Sequence, residues 1–105
     1  MTKYVLAYHG GGMPATPEEG QKIMAAWNSW MGGLGKALVD GGNPTGPART
    51  IAKDGKISDG GGANPITGYS IIEAASLDAA VSMAKTCPIL ASGGSVEVAE
   101  TFAVM

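Results

Sequence analysis

Hydrophobic alternation marks the first element of the chain. In residues 3–9, Tyr4, Leu6 and Tyr8 fall on one side of an extended backbone and Val5, Ala7 and His9 on the other; both sets are largely apolar. A strand of that kind belongs in the middle of a sheet covered on both faces. Helices take one face. The other needs a second layer that so short a chain hardly supplies itself. The pattern then changes to a helical period. Ile23, Trp27, Trp30, Met31, Leu34 and Leu38 form one stripe at three- and four-residue spacing, which predicts a helix from residue 17 to about Val39. Thr16 caps it, Pro17 takes its first position and Glu19 completes a Thr-x-x-Glu capping box. Gly32, Gly33 and Gly35 weaken its last turns, at roughly 1 kcal/mol each against Ala.

After Asp40-Gly41-Gly42-Asn43-Pro44 ends the helix, with room for a short second strand before it, residues 48–53 and 56–58 read as short strands joined at Asp54-Gly55. A glycine-rich loop over 60–67 follows, opened by a second Asp-Gly at Asp59-Gly60. The most strand-like run of the chain, Tyr69-Ser70-Ile71-Ile72-Glu73, comes next. Ser76 caps a second helix with Leu77, Ala80, Val81 and Ala84 as its buried stripe, stopped by Pro88. Residues 95–104 alternate as a last strand, with Val96 and Val98 opposed to Glu97 and Ala99. The order is strand, helix, strand or hairpin, strand, helix, strand. That is the split βαβ pattern of an α+β, ferredoxin-like βαββαβ sandwich: an antiparallel sheet with two helices on one face, in a single domain over residues 1–105.

Composition sharpens this picture at two points. Charged residues make up 15% of the chain against about 25% in typical soluble domains. A surface so poor in charge points to a second buried face, hence to a homodimer. A net charge of −2, with seven scattered basic residues, argues against nucleic acid and against an anionic membrane surface. Cys87 is the only cysteine, which excludes an internal disulfide and suits a reducing cytoplasm. The apolar part of the N-terminus is too short for a signal peptide, and no apolar run reaches the ~18 residues of a membrane helix. The chain is expected to be soluble, cytoplasmic and complete.

The chemistry-bearing residues are few. His9-Gly10-Gly11-Gly12 resembles the oxyanion-hole stretch of lipases, but no Gly-x-Ser-x-Gly elbow and no second histidine accompany it. His9, the sole histidine, is a candidate general acid or base or a local hydrogen-bonding group. No Cys, Asp or Glu stands at metal-ligand spacing from it, so no metal and no cofactor are expected. Trp27 and Trp30 lie one helical turn apart and read as core, with ligand stacking as the alternative. Cys87 reads as a buried small hydrophobe rather than a nucleophile. Asp54 and Asp59 have a backbone explanation as turn residues.

Several stretches, taken in order, resemble the YCII-related superfamily and in particular its DGPF-domain branch. They are Lys3-Tyr4-Val5-Leu6-Ala7-Tyr8, the Pro17-Glu18-Glu19 helix start and the Asp54-Gly55-Lys56 turn. Asp59-Gly60 leading to Gly68-Tyr69-Ser70-Ile71-Ile72-Glu73 continues the series, followed by Ser76-Leu77-Asp78-Ala79-Ala80, Cys87-Pro88 and Gly94-Ser95-Val96-Glu97-Val98. The resemblance implies a ferredoxin-like fold that dimerises sheet to sheet as an α+β barrel. Some YCII-like proteins are proposed to use a His–Asp pair; here the first-helix region offers Trp27 and the residue before Pro88 is Cys87, so that pair is absent. Gly61-Gly62 stand where the branch has Pro-Phe, so only Asp59-Gly60 carries over, as a pocket wall.

Three functions follow as expectations. The first is a homodimer binding a small molecule between sheet and loops, with His9, Asp59 and Trp27 as ligand contacts. The second is an enzyme using His9 as acid or base with Asp59 orienting it. The third is a non-catalytic regulatory or interaction protein, which the DGPF resemblance connects with sigma-factor and stress systems.

Overall fold

The computed structural model describes residues 1–104. Strand β1 (Thr2–His9) lies in the middle of a four-stranded sheet, flanked by β5 (Ile66–Ala74) and β6 (Ser95–Glu100). Both pairings are antiparallel, with Leu6 opposite Ser70 on one side and Val98 on the other. A short strand, β2 (Leu38–Asp40), completes the sheet beyond β5 in the order β2-β5-β1-β6. With two helices, α1 (Pro17–Leu34) and α2 (Leu77–Ala84), the molecule is an α+β structure compatible with a ferredoxin-like fold. Two further strands, β3 (Arg49–Ile51) and β4 (Ile57–Asp59), pair only with each other.

The alternation read in β1 has a direct structural outcome. Tyr4, Leu6 and Tyr8 are buried against the helices, whereas Val5, Ala7 and His9 are half-buried on the opposite face. Strand β5 repeats this, with Ser70, Ile72 and Ala74 inward and Tyr69, Ile71 and Glu73 outward. Trp27, Trp30, Met31 and Leu34 of α1 and Ala80, Met83 and Ala84 of α2 pack on the inward set. The indole N–H of Trp30 donates to the Met83 carbonyl at 3.1 Å and joins the two helices directly.

Local signals explain the helix starts. The Thr16 hydroxyl accepts from the Glu19 N–H at 3.1 Å, and the Glu19 carboxylate reaches back to the Ala15 N–H at 3.0 Å, one residue beyond the usual return point of a capping box. The Ser76 hydroxyl accepts from the Ala79 N–H at 3.1 Å.

The structure departs from the sequence expectation at the end of α1, on the buried face of α2 and at the end of β6. Helix α1 ends at Leu34 rather than near Val39, because Gly35 turns to φ 55°; one 3₁₀ turn (Gly35–Ala37) then feeds β2. In α2 the buried positions are Ala80 and Ala84, while Leu77 and Val81 stay exposed, since a helix of two turns presents only a narrow face to the sheet. Strand β6 stops at Glu100, after which Thr101 alone is tied back, its N–H and hydroxyl both donating to the Lys3 carbonyl.

Candidate functional site

His9 closes β1 at the point where the strand meets the glycine loop. A register shift between Tyr8 and His9 in the pairing with β5 sets it beside the segment that leads into that strand. Its Nδ1 lies 3.1 Å from the Asn64 carbonyl and 3.2 Å from that of Pro65, and its Nε2 lies 3.3 Å from Glu97 Oε1. A carbonyl and a carboxylate are acceptors only, so both contacts are hydrogen bonds when the ring carries two protons. The His9 side chain is 13% exposed and that of Glu97 68%, so a largely enclosed ring meets a carboxylate that stands mostly in solvent.

The glycine loop itself is held. The Gly12 N–H donates to the Ser92 carbonyl at 3.1 Å, and the Thr67 hydroxyl donates to the Gly10 carbonyl at 3.0 Å. A Cβ at Gly94 would stand 2.6 Å from the His9 carbonyl oxygen and 2.9 Å from the Gly11 N, so this close approach of two backbones requires glycine.

Asp59 lies in β4 and pairs with Arg49 across the β3–β4 hairpin at 3.6 Å, with both side chains largely in solvent. It is not among the hydrogen-bond or ion-pair partners of His9; Glu97 holds the place expected for it. Trp27 stands on the other side of the sheet. Its ring meets Tyr8 edge-on at 5.1 Å and Trp30 at 5.7 Å, so it belongs to the helix-side packing that Tyr8 faces, while His9 faces away. Of the three residues singled out from the sequence, the fold therefore brings none together. The contact that sequence reading missed is His9–Glu97, 88 positions apart. The alternation of β6, which sets Glu97 opposite Val96 and Val98, held the only hint of it.

A second polar cluster is internal. The buried Tyr8 hydroxyl donates to Ser70 Oγ at 2.8 Å, which donates to the Gly41 carbonyl at 2.8 Å. The Cys87 thiol lies beside the same tyrosine. Burial pushes the Cys87 thiol above its ordinary value, an effect partly offset by hydrogen bonds from the Ile89 backbone and Tyr8. Such a thiol stays protonated at neutral pH and is a poor nucleophile. A shallow cleft of about 760 Å³ opens between α1 and the turn after α2, where Trp30, Leu34, Cys87 and Pro88 contribute to its wall; His9, Asp59 and Trp27 do not. Among the described residues, no three His, Cys, Asp or Glu side chains gather as a metal site would need, and no helix is long and apolar enough to cross a membrane.

No family model matches the chain, and no curated protein shows significant similarity to it.

Proposed function

We infer that this protein is a cytoplasmic homodimer that binds a small molecule between the helix-free sheet face and the loops at the His9 end. The observation that carries the reading is the anchored imidazole. Its Nδ1 is fixed by main-chain carbonyls while its Nε2 points to an exposed, displaceable carboxylate. A ligand with an oxygen acceptor takes the place of Glu97 on Nε2 and meets a ring already oriented, without the cost of ordering it. The half-buried Val5, Ala7, Tyr69 and Ile71 supply an apolar floor beside it. Support for the dimer comes from the same face, whose middle is apolar in a chain of which only 15% of the residues are charged. The YCII-related resemblance points the same way, since it implies two sheets facing each other in an α+β barrel. The buried, unpaired Cys87 fits a reducing compartment.

The His9–Glu97 contact also favours a second reading, an enzyme in which His9 transfers a proton through Nε2 and Glu97 stabilises the charged ring. Asp59 has no part in either version.

Native mass spectrometry of the purified protein, followed by thermal-shift screening of a panel of small carboxylic acids, tests the binding reading. A panel member that raises the melting temperature of wild type is expected to lose that effect in His9→Ala and keep it in Asp59→Asn. Equal shifts in wild type and His9→Ala would place the site elsewhere.

A further inference from the structure

Among the described residues the β3–β4 hairpin forms a sheet of its own, apart from the four-stranded body. Every residue from 43 to 66 is exposed, including Ile51 at 70% and Ile57 at 66%. The two isoleucines are directly paired, and by strand alternation they share one face of the ribbon with the Arg49–Asp59 pair, leaving Thr50 and Ser58 on the other. This is an amphipathic two-stranded ribbon standing in water, where such a ribbon is marginal by itself. Its protrusion is visible in the dimensions: the radius of gyration is 15.1 Å, against about 13 Å for a compact domain of 100 residues.

The base of this arm is firmly set. Pro44 bridges to Gly68, the Thr45 N–H donates to the Thr67 carbonyl, and His9 holds the carbonyls of Asn64 and Pro65. The arm thus continues the β2–β5 edge of the sheet past its His9 end as a directed extension. From Thr45 to the Asp54-Gly55 turn the chain can reach at most about 30 Å at about 3.3 Å per residue, comparable to the length of the nine-residue β5. The described residues are only 18 Å deep, one helix layer on one sheet, and none of their helices lies on the face carrying Val5, Ala7, Tyr69 and Ile71.

Each of these two unpartnered surfaces has what the other lacks. The arm tip carries Lys53 and Lys56 against Asp54, a surplus of one positive charge; the open face carries Glu73, Glu97 and, opposite Ile71, Asp40 against Lys3, a surplus of two negative charges. We propose that two copies of this chain exchange arms, the Ile51–Ile57 face of each hairpin seating on the margin of the partner's helix-free sheet. The contact is isologous, so a two-fold axis makes it twice and the assembly closes at two copies. This arrangement rests on the homodimer inferred above and adds the element that clasps it. Its site is then closed by the partner, whose arm lies over the sheet that floors the pocket.

Sedimentation equilibrium over a concentration series tests it with three chains: wild type, Ile51→Asp/Ile57→Asp, and Ile71→Asp. Wild type is expected to be a dimer, and each variant to have its dissociation constant raised at least 100-fold with an unchanged circular-dichroism spectrum. A mixture of the two variants should recover dimers, because one wild-type arm then meets one wild-type sheet face. A wild-type dimer that the arm variant leaves intact, or a mixture that recovers nothing, overturns arm exchange and leaves the homodimer standing. A wild type that is monomeric throughout overturns both. Hydrogen exchange on wild type covers the case of a variant that fails to fold. Amides of residues 49–59 should be protected in the dimer and lose protection on dilution, and an arm unprotected at every concentration sinks the proposal.

Discussion

Strand β1 and the β3–β4 hairpin are both antiparallel β-structure with apolar residues at alternate positions, yet they live in opposite environments. In β1, Leu6 is fully buried and its neighbours Tyr4 and Tyr8 nearly so, each side of the strand pairing with another. In the hairpin, Ile51 and Ile57 face each other across the ribbon and stand largely in solvent. The same local pattern therefore yields core in one place and a free ribbon in the other. What separates them is whether the strand finds a sheet to join. The comparison teaches that the stability of this protein resides in its four-stranded body, while the hairpin is available for an intermolecular contact.

The most severe way to break the body is at the edge where it passes into the arm. Gly42 has φ 70°, and a Cβ there would run into the Tyr69 carbonyl oxygen. Gly42→Ala combines left-handed strain with a backbone collision and is expected to cost about 3 kcal/mol or more, read as a shifted midpoint in urea unfolding. The next largest effect contrasts the two regions directly. Leu6→Ala should cost on the order of 3 kcal/mol through the cavity left in a fully buried site, whereas Ile51→Ala should move the unfolding of the single copy by no more than about 0.5 kcal/mol. Equal losses from both substitutions, measured at concentrations where the protein is monomeric, would show the arm to be part of the core.

The gentlest probe is alkali. Burial raises the proton affinity of both the Tyr8 hydroxyl and the Cys87 thiol above their ordinary values of 10.0 and 9.0. In the folded chain both keep their protons to higher pH than in the unfolded chain. Stability is accordingly complete below about pH 9 and declines as pH rises past the ordinary values, because the unfolded chain then releases protons that the folded one retains. Urea midpoints followed from pH 8 to 11 should fall for wild type and fall less for a Tyr8→Phe/Cys87→Ala variant. The hairpin holds no group of this kind, so its exchange behaviour should not follow the same pH profile once intrinsic amide rates are removed.

The α+β expectation and the structure agree at the coarse level of architecture, and the details part where distance along the chain is greatest. Thr16, Glu19 and Ser76 do what their spacing implies because a cap involves partners three or four residues away. The turn at Asp54-Gly55 forms as read: Asp54 Oδ1 accepts from the Lys56 N–H at 2.9 Å and Gly55 takes φ 90°. The two faces of β1 and of β6 were equally legible, since a period of two over six or more residues is a statement about one strand's own geometry.

The chain alone thus determined where the two helices begin and which residues of β1 and of β6 share a face. Beyond the hairpin at Asp54-Gly55, it left undetermined which strands pair. Three-residue strands such as β2 and β3 are too short to carry a period, and their place depends on hydrogen bonds to segments far along the chain. Only the packed structure put Leu38–Asp40 on the sheet edge and left Arg49–Asp59 outside it. Only that packing turned Trp27 and His9 to opposite faces and gave the imidazole Glu97 for a neighbour in place of Asp59. The reason is that register between distant strands is settled by burying one common set of side chains at once, and no single stretch of sequence contains that condition.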